Sequence, residues 1–202
     1  LYDRAQKGYR LEQIYHASLT NAEVLAVCKI LLDSRSLTRA EMTAILDKLI
    51  ECCVPKANQK LVADLIRNEE FHYVEPRHKT VFIDKMWTLG QAIRDCQYIQ
   101  IDYERTKDHS IVTRKLKPVA ILFSEYYFYL TAFIDDPKVQ QDFEVLNDSF
   151  PTIYRVDRIK KLTVLDEHFH IPYIKACHMI AVYHCFHHIF RLFSPLFPVA
   201  NN

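Results

Sequence analysis

Between Thr20 and Cys53 the apolar positions recur about every 3.6 residues. Val24, Val27, Cys28, Leu31 and Leu32 fall on one face, and Met42, Ile45, Leu46, Leu49 and Ile50 on another, which predicts two amphipathic helices. Thr20 stands three residues before Glu23, and Thr38 three before Glu41, so each helix can open with a capping box that satisfies its free N-terminal amides. Pro55 closes the second helix, and a shorter one is expected from Asn58 to Ile66. "VFIDKMWTLGQAIRDC" then sets Phe82, Met86, Leu89 and Ile93 along one side of a further helix. After Cys96 the period changes to two. "YIQIDYER", "SIVTRKLKPVAILF", "YYFYLTAF", "IYRVDRI" and "KKLTVLD" predict five short antiparallel strands, enough for a small barrel. The expected fold class is α+β: a helical segment over residues 1–96, a β-barrel over 97–172 and an atypical tail over 173–202. With two glycines in the chain, the turns are expected to use Asp, Asn, Ser and Pro.

Composition changes this picture mainly by exclusion. A formal net charge of +1 argues against a chain-wide polyelectrolyte interaction with nucleic acid or anionic lipid, so any anion site must come from local placement of cations. Six cysteines without a CxxC pair, and an opening that does not read as a signal peptide, point to reduced thiols in a cytoplasm. The chain starts at Leu1 on a polar stretch and is expected to be a piece of a longer polypeptide. Its tail, "IKACHMIAVYHCFHHIFRLFSPLFPVANN", has neither period and is expected to be disordered or out of frame. His184 and His188 would share a helix face there, but the spacing fits no standard zinc pattern, and no metal is expected. Arg191, the histidines and two prolines interrupt Met179 to Ala200, so no membrane span is expected. Without a nucleophile elbow, a P-loop or a dinucleotide glycine motif, neither catalysis nor a cofactor is expected.

The candidate chemistry lies among the strands. In "EYYFYLTAF" Phe128 and Leu130 read as core, while Tyr129 lies on the opposite face, where a base-stacking platform or a subunit contact weighs the same as packing. From Tyr98 to Leu165 ten cations balance ten acids, yet seven of the cations fall in Arg114 to Lys117 and Arg155 to Lys161, and half the acids in Asp135 to Asp148. Cationic strands beside exposed tyrosines suit a ligand carrying both phosphates and flat rings. Arg114, on the face of Val112 and Leu116, holds either such an anion or a structural carboxylate, with Asp157 the obvious acceptor. Arg155 and Arg158 have opposite strand parity and converge only if the chain turns at Asp157. Lys160 and Lys161 read as a solvated edge that blocks strand addition.

These residues carry a family likeness. Ile101-x-Tyr103, Arg114 four residues before Pro118, "FYL" at Phe128 to Leu130 and "YRVDRI" at Tyr154 to Ile159 resemble, in order and spacing, the WYL domain of bacterial transcriptional regulators. "LTNAEVLAVCKILLDSRS" and "NEEFHYVEP" are similar to the segment that precedes it in clostridial members. The resemblance implies a five-stranded Sm-like, SH3-type barrel that senses a nucleic acid or nucleotide effector. A winged helix-turn-helix would precede the helical segment in an intact regulator; none is legible here, so promoter contact would run only through that missing reader. The expected ligand site comprises Arg114, Tyr129, Arg155, Arg158, Tyr103 and Lys117. The apolar stripes of the helical half, with Trp87, exceed what one barrel covers, and a homodimer is expected. The alternative function is a structural dimerisation module with no ligand of its own.

Overall fold

The computed structural model describes residues 19–136 and 151–170, together with the backbone of a two-residue ladder between β1 (Tyr2–Asp3) and β2 (Gly8–Tyr9). The expected tail over 173–202 and most of the acidic loop after Asp136 lie outside the described residues. The chain forms two compact units, residues 1–75 and 76–202.

The first unit packs α1 (Asn21–Ser34), α2 (Arg39–Cys53) and α3 (Lys56–Phe71) against one another. Both capping boxes form: the Thr20 and Thr38 hydroxyls each accept from the backbone amide three residues on, and Glu23 and Glu41 accept from the threonine amides at 2.6 and 3.0 Å. Val24, Cys28 and Leu32 of α1 meet Met42, Leu46 and Ile50 of α2 and Val62 and Ile66 of α3 in a core set by i, i+4 spacing. α3 exceeds the expected 58–66 at both ends. Beyond Ile66 it buries no apolar residue, Phe71 being exposed, and ion pairs hold this end: Glu69 pairs with Lys29, and Arg67 with Asp64. Buried Tyr73 ties the unit's end to the start of α2, its hydroxyl donating to the Leu37 carbonyl at 2.7 Å and accepting from the Leu37 amide at 3.3 Å.

The second unit contains α4 (Ile83–Arg94) and an antiparallel sheet of β3 (Gln97–Glu104), β4 (Ile111–Ser124), β5 (Tyr127–Ile134), β6 (Thr152–Arg155) and β7 (Ile159–His168). All five expected strands form, four of them within a residue or two of their expected ends; the one expected over 153–159 stops at Arg155, where the chain leaves the ladder for a 3-10 turn. The order is β6-β5-β4-β3-β7, and the sheet is open, with β6 and β7 as its edges. The long strand β4 serves two partners, pairing through Leu116 with β3 and from there to Ser124 with β5. A register slip between Pro118 and Ala120 lets it bend where proline has no N–H to give the ladder. Ile99, Ile101, Leu116, Leu130, Ala132 and Ile159 form the core with Leu89 and Ala92 of α4. α4 continues the helical period of residues 1–96, yet it packs on β3, β4 and β7 and falls in the unit with the sheet. Lys85 anchors it, donating to the Ile159 carbonyl at 2.6 Å.

The β4–β5 turn departs from the turn chemistry expected of a glycine-poor chain. Its two central residues are Glu125 and Tyr126, with φ of 45° and 73°. Both sit in the left-handed region that two-residue hairpins require and that Asn-Gly occupies best. Replacing Glu125-Tyr126 by Asn-Gly should therefore stabilise the second unit by about 1 to 2 kcal/mol, read as a higher urea midpoint at unchanged slope.

Candidate phosphate-binding pocket

Three parts of the second unit enclose a pocket of about 380 Å³. The segment before α4 contributes Arg77, His78 and Thr80; the end of β3 and its turn contribute Glu104 and His109; β5 and the corner between β6 and β7 contribute Tyr127, Arg155, Asp157, Arg158 and Lys160. The lining thus holds four full cations against two carboxylates.

The corner is a single turn of 3-10 helix over Val156–Arg158. It reverses strand parity between Arg155 and Arg158, the condition the sequence set for their convergence, and both line the pocket. Arg155 forms a fork with Asp157, Nε to Oδ1 at 3.0 Å and Nη2 to Oδ2 at 2.7 Å. The pair is largely desolvated, the side chains being 24 % and 4 % exposed. Burial alone would depress the guanidinium's pKa, but the hydrogen bonds and charge of Asp157 leave it raised. Arg155 also stacks 3.6 Å above the Tyr127 ring, whose neighbour in the pocket is His78, centroids 6.0 Å apart. The His78 ring is oriented by its Nδ1, which accepts from the Thr80 amide at 2.9 Å. Arg158 donates to the Thr106 hydroxyl.

The other expected site residues are placed differently. Tyr129 is the direct cross-strand partner of Arg155, but it is half-buried, and burial raises its hydroxyl pKa. The ring that lines the pocket is Tyr127, two residues earlier on the same face. Tyr103 lies behind the corner: its hydroxyl accepts from the Arg155 amide at 3.4 Å, and its ring meets Tyr154 edge-on at 5.0 Å. Arg114 does not take Asp157, which Arg155 holds; it donates to the Thr113 carbonyl at 3.2 Å, beside the buried Tyr154. Lys117 is paired with Asp135 at 2.8 Å, in a cluster around Tyr98 that also holds Lys115 and Glu167. Neither Lys117, Arg114, Tyr103 nor Tyr129 lines the pocket.

Arg77, His78, Thr80, Tyr127, Glu104, His109 and Lys160 line the pocket without having been expected there from the sequence. Tyr127 was accessible from the parity it shares with Tyr129. The segment 77–80 carries no periodic signal, and only the tertiary fold brings it to the corner. Glu104 bridges two partners, His109 Nδ1 at 2.8 Å and Lys160 Nζ at 2.5 Å. Hydrogen bonds from Lys160, then His109, lower its pKa from 4.5 to about 2. A carboxylate depressed in the folded state contributes stability above its unfolded pKa that is lost as pH falls through the folded value. The stability difference between the parent and Glu104→Gln should accordingly be present at pH 7 and shrink between about pH 4.5 and 2, as measured by urea unfolding across that range.

Among the described residues no group of three or more His, Cys, Asp or Glu could hold a metal ion, and no helix is long and apolar enough to cross a membrane. No curated protein matches the chain. Among solved structures, the Proteasome accessory factor B/C (PafBC) of Arthrobacter aurescens is similar at 14% identity and a TM-score of 0.34, over 74% of this chain and 21% of that one. The present chain thus spans about a fifth of that protein's length. The stretch that carries α4, the sheet and the 3-10 corner, with Glu104, His109, Tyr127, Arg155, Asp157, Arg158 and Lys160 of the pocket, matches a known family model: residues 84–164 match the WYL domain.

Proposed function

We propose that this chain is the effector-sensing part of a bacterial transcriptional regulator of the WYL type, and that the pocket binds a nucleic-acid or nucleotide-like anion. The observation that carries this reading is the pocket's charge: four cations against two carboxylates, in a chain whose net charge is only +1. Arginine and lysine in a concave site suit phosphate oxygens, and the work is recognition without chemistry. On this reading the open sheet is a distorted Sm-like, SH3-type barrel whose last strand follows the 3-10 turn, and the promoter is read by a helix-turn-helix on a longer clostridial-type polypeptide. Fluorescence anisotropy with short single-stranded DNA and RNA, and calorimetry with a nucleotide panel, test it. Saturable binding that weakens with salt is the expected result; no binding by any member sinks the reading.

The alternative, a dimerisation module with no ligand, is favoured by one observation: Trp87 projects from α4 with 71 % of its surface exposed. Sedimentation of the parent and of Trp87→Ala separates the two, since a module of that kind falls to monomers on the substitution while ligand binding is absent throughout.

A further inference from the structure

We infer, resting on the phosphate-binding reading above, that Glu104 is the pocket's own counter-ion, which a ligand phosphate must displace, and therefore the residue that sets affinity. The two carboxylates of the pocket are held in opposite ways. Asp157 is 4 % exposed, gives both oxygens to Arg155 and is part of the frame. Glu104 stands where β3 gives way to its turn, and its oxygens reach one group each, the exposed His109 and the half-exposed Lys160. The Glu104 side chain itself is 25 % exposed, but both its partners lie at the surface, where long side chains exchange partners at little cost. Arg77 and Arg158 have no carboxylate partner among the described residues. The unliganded site therefore offers two uncompensated guanidiniums, and an incoming phosphate gains a third cation, Lys160, only by turning out Glu104.

Binding of ATP and of a short oligothymidylate, with and without a 5′-phosphate, to the full chain at fixed ionic strength tests this. Removing one negative charge a few ångströms from the ligand, as in Glu104→Gln, should tighten binding by about tenfold. Glu104→Gln combined with Lys160→Gln removes the pair together, which leaves no orphaned charge, and should bind within about threefold of the parent. The double variant also serves if Glu104→Gln alone does not fold. Unchanged or weaker binding by Glu104→Gln, or a loss of tenfold or more in the double variant, overturns the counter-ion role while leaving the pocket reading in place. If parent and variants bind none of the probes, both fall. The 5′-phosphate arm distinguishes a terminal phosphate from internal diesters as the displacing group.

Discussion

Arg155→Ala is expected to destabilise the second unit by about 3 to 5 kcal/mol, because it leaves the Asp157 carboxylate buried without its partner. The sequence placed Arg155 among the residues of the expected ligand site. Its side chain is 24 % exposed, forked onto a carboxylate that is 4 % exposed, and stacked on Tyr127. Losing the guanidinium removes two charge-assisted hydrogen bonds and the stacking on the ring, and leaves the carboxylate unpaired in a poorly solvated corner. Replacing both members by apolar residues of similar volume, Arg155→Met with Asp157→Leu, should cost far less, since neither leaves an orphan. Urea denaturation of the three proteins decides it. A single-variant loss below about 1 kcal/mol would mean that water reaches Asp157 freely and that the fork is a surface pair.

Arg158→Ala should do the reverse, sparing stability and weakening a phosphate ligand by about tenfold or more. A hydrogen bond to a charged group is worth roughly 1.5 to 3 kcal/mol, and Arg158 is tied only to the Thr106 hydroxyl, with no carboxylate partner among the described residues. Because each cation that neutralises a phosphate releases its counterion, the substitution should also flatten the salt dependence of binding by about one such ion. Calorimetric titration at two or more salt concentrations reads both effects. Unfolding of Arg158→Ala, or unchanged affinity and salt slope, would exclude Arg158 as a group that binds the ligand. Neighbours three residues apart thus differ in kind: Arg155 is forked onto a buried carboxylate, whereas Arg158 lines the pocket with no carboxylate partner among the described residues.

Much of this was legible in the residues. The capping boxes at Thr20 and Thr38, the i, i+4 cores of α1 and α2 and all five strands follow from local signals: hydroxyl and carboxylate three residues apart, a period of 3.6, then a period of two. Parity also showed that Arg155 and Arg158 could share a site only through a turn at Asp157, and a 3-10 turn stands there. Less legible were elements held by charge. The end of α3 carries only an exposed phenylalanine, Phe71, and is held by Lys29, thirty-six or more residues back along the chain, through an ion pair to Glu69 and a hydrogen bond to the Leu65 carbonyl.

What the sequence by itself determined is thus the four helices, the strands of the five-stranded sheet and the order in which they come. Only the tertiary structure decided which charges meet. Lys115 and Lys117 looked like half of a basic face, but the sheet register sets them beside Glu167 and Asp135, where they are neutralised around Tyr98. Asp157 was a plausible partner for Arg114 and went to Arg155, two residues away, because the 3-10 turn folds that side chain back onto it. Arg77 and His78, remote in sequence from the corner, complete the pocket. The physical reason is that periodicity records which side of an element is apolar, a local property, whereas a long cationic side chain reaches several ångströms to any carboxylate the fold brings near, and that choice is made by register, turn geometry and burial together.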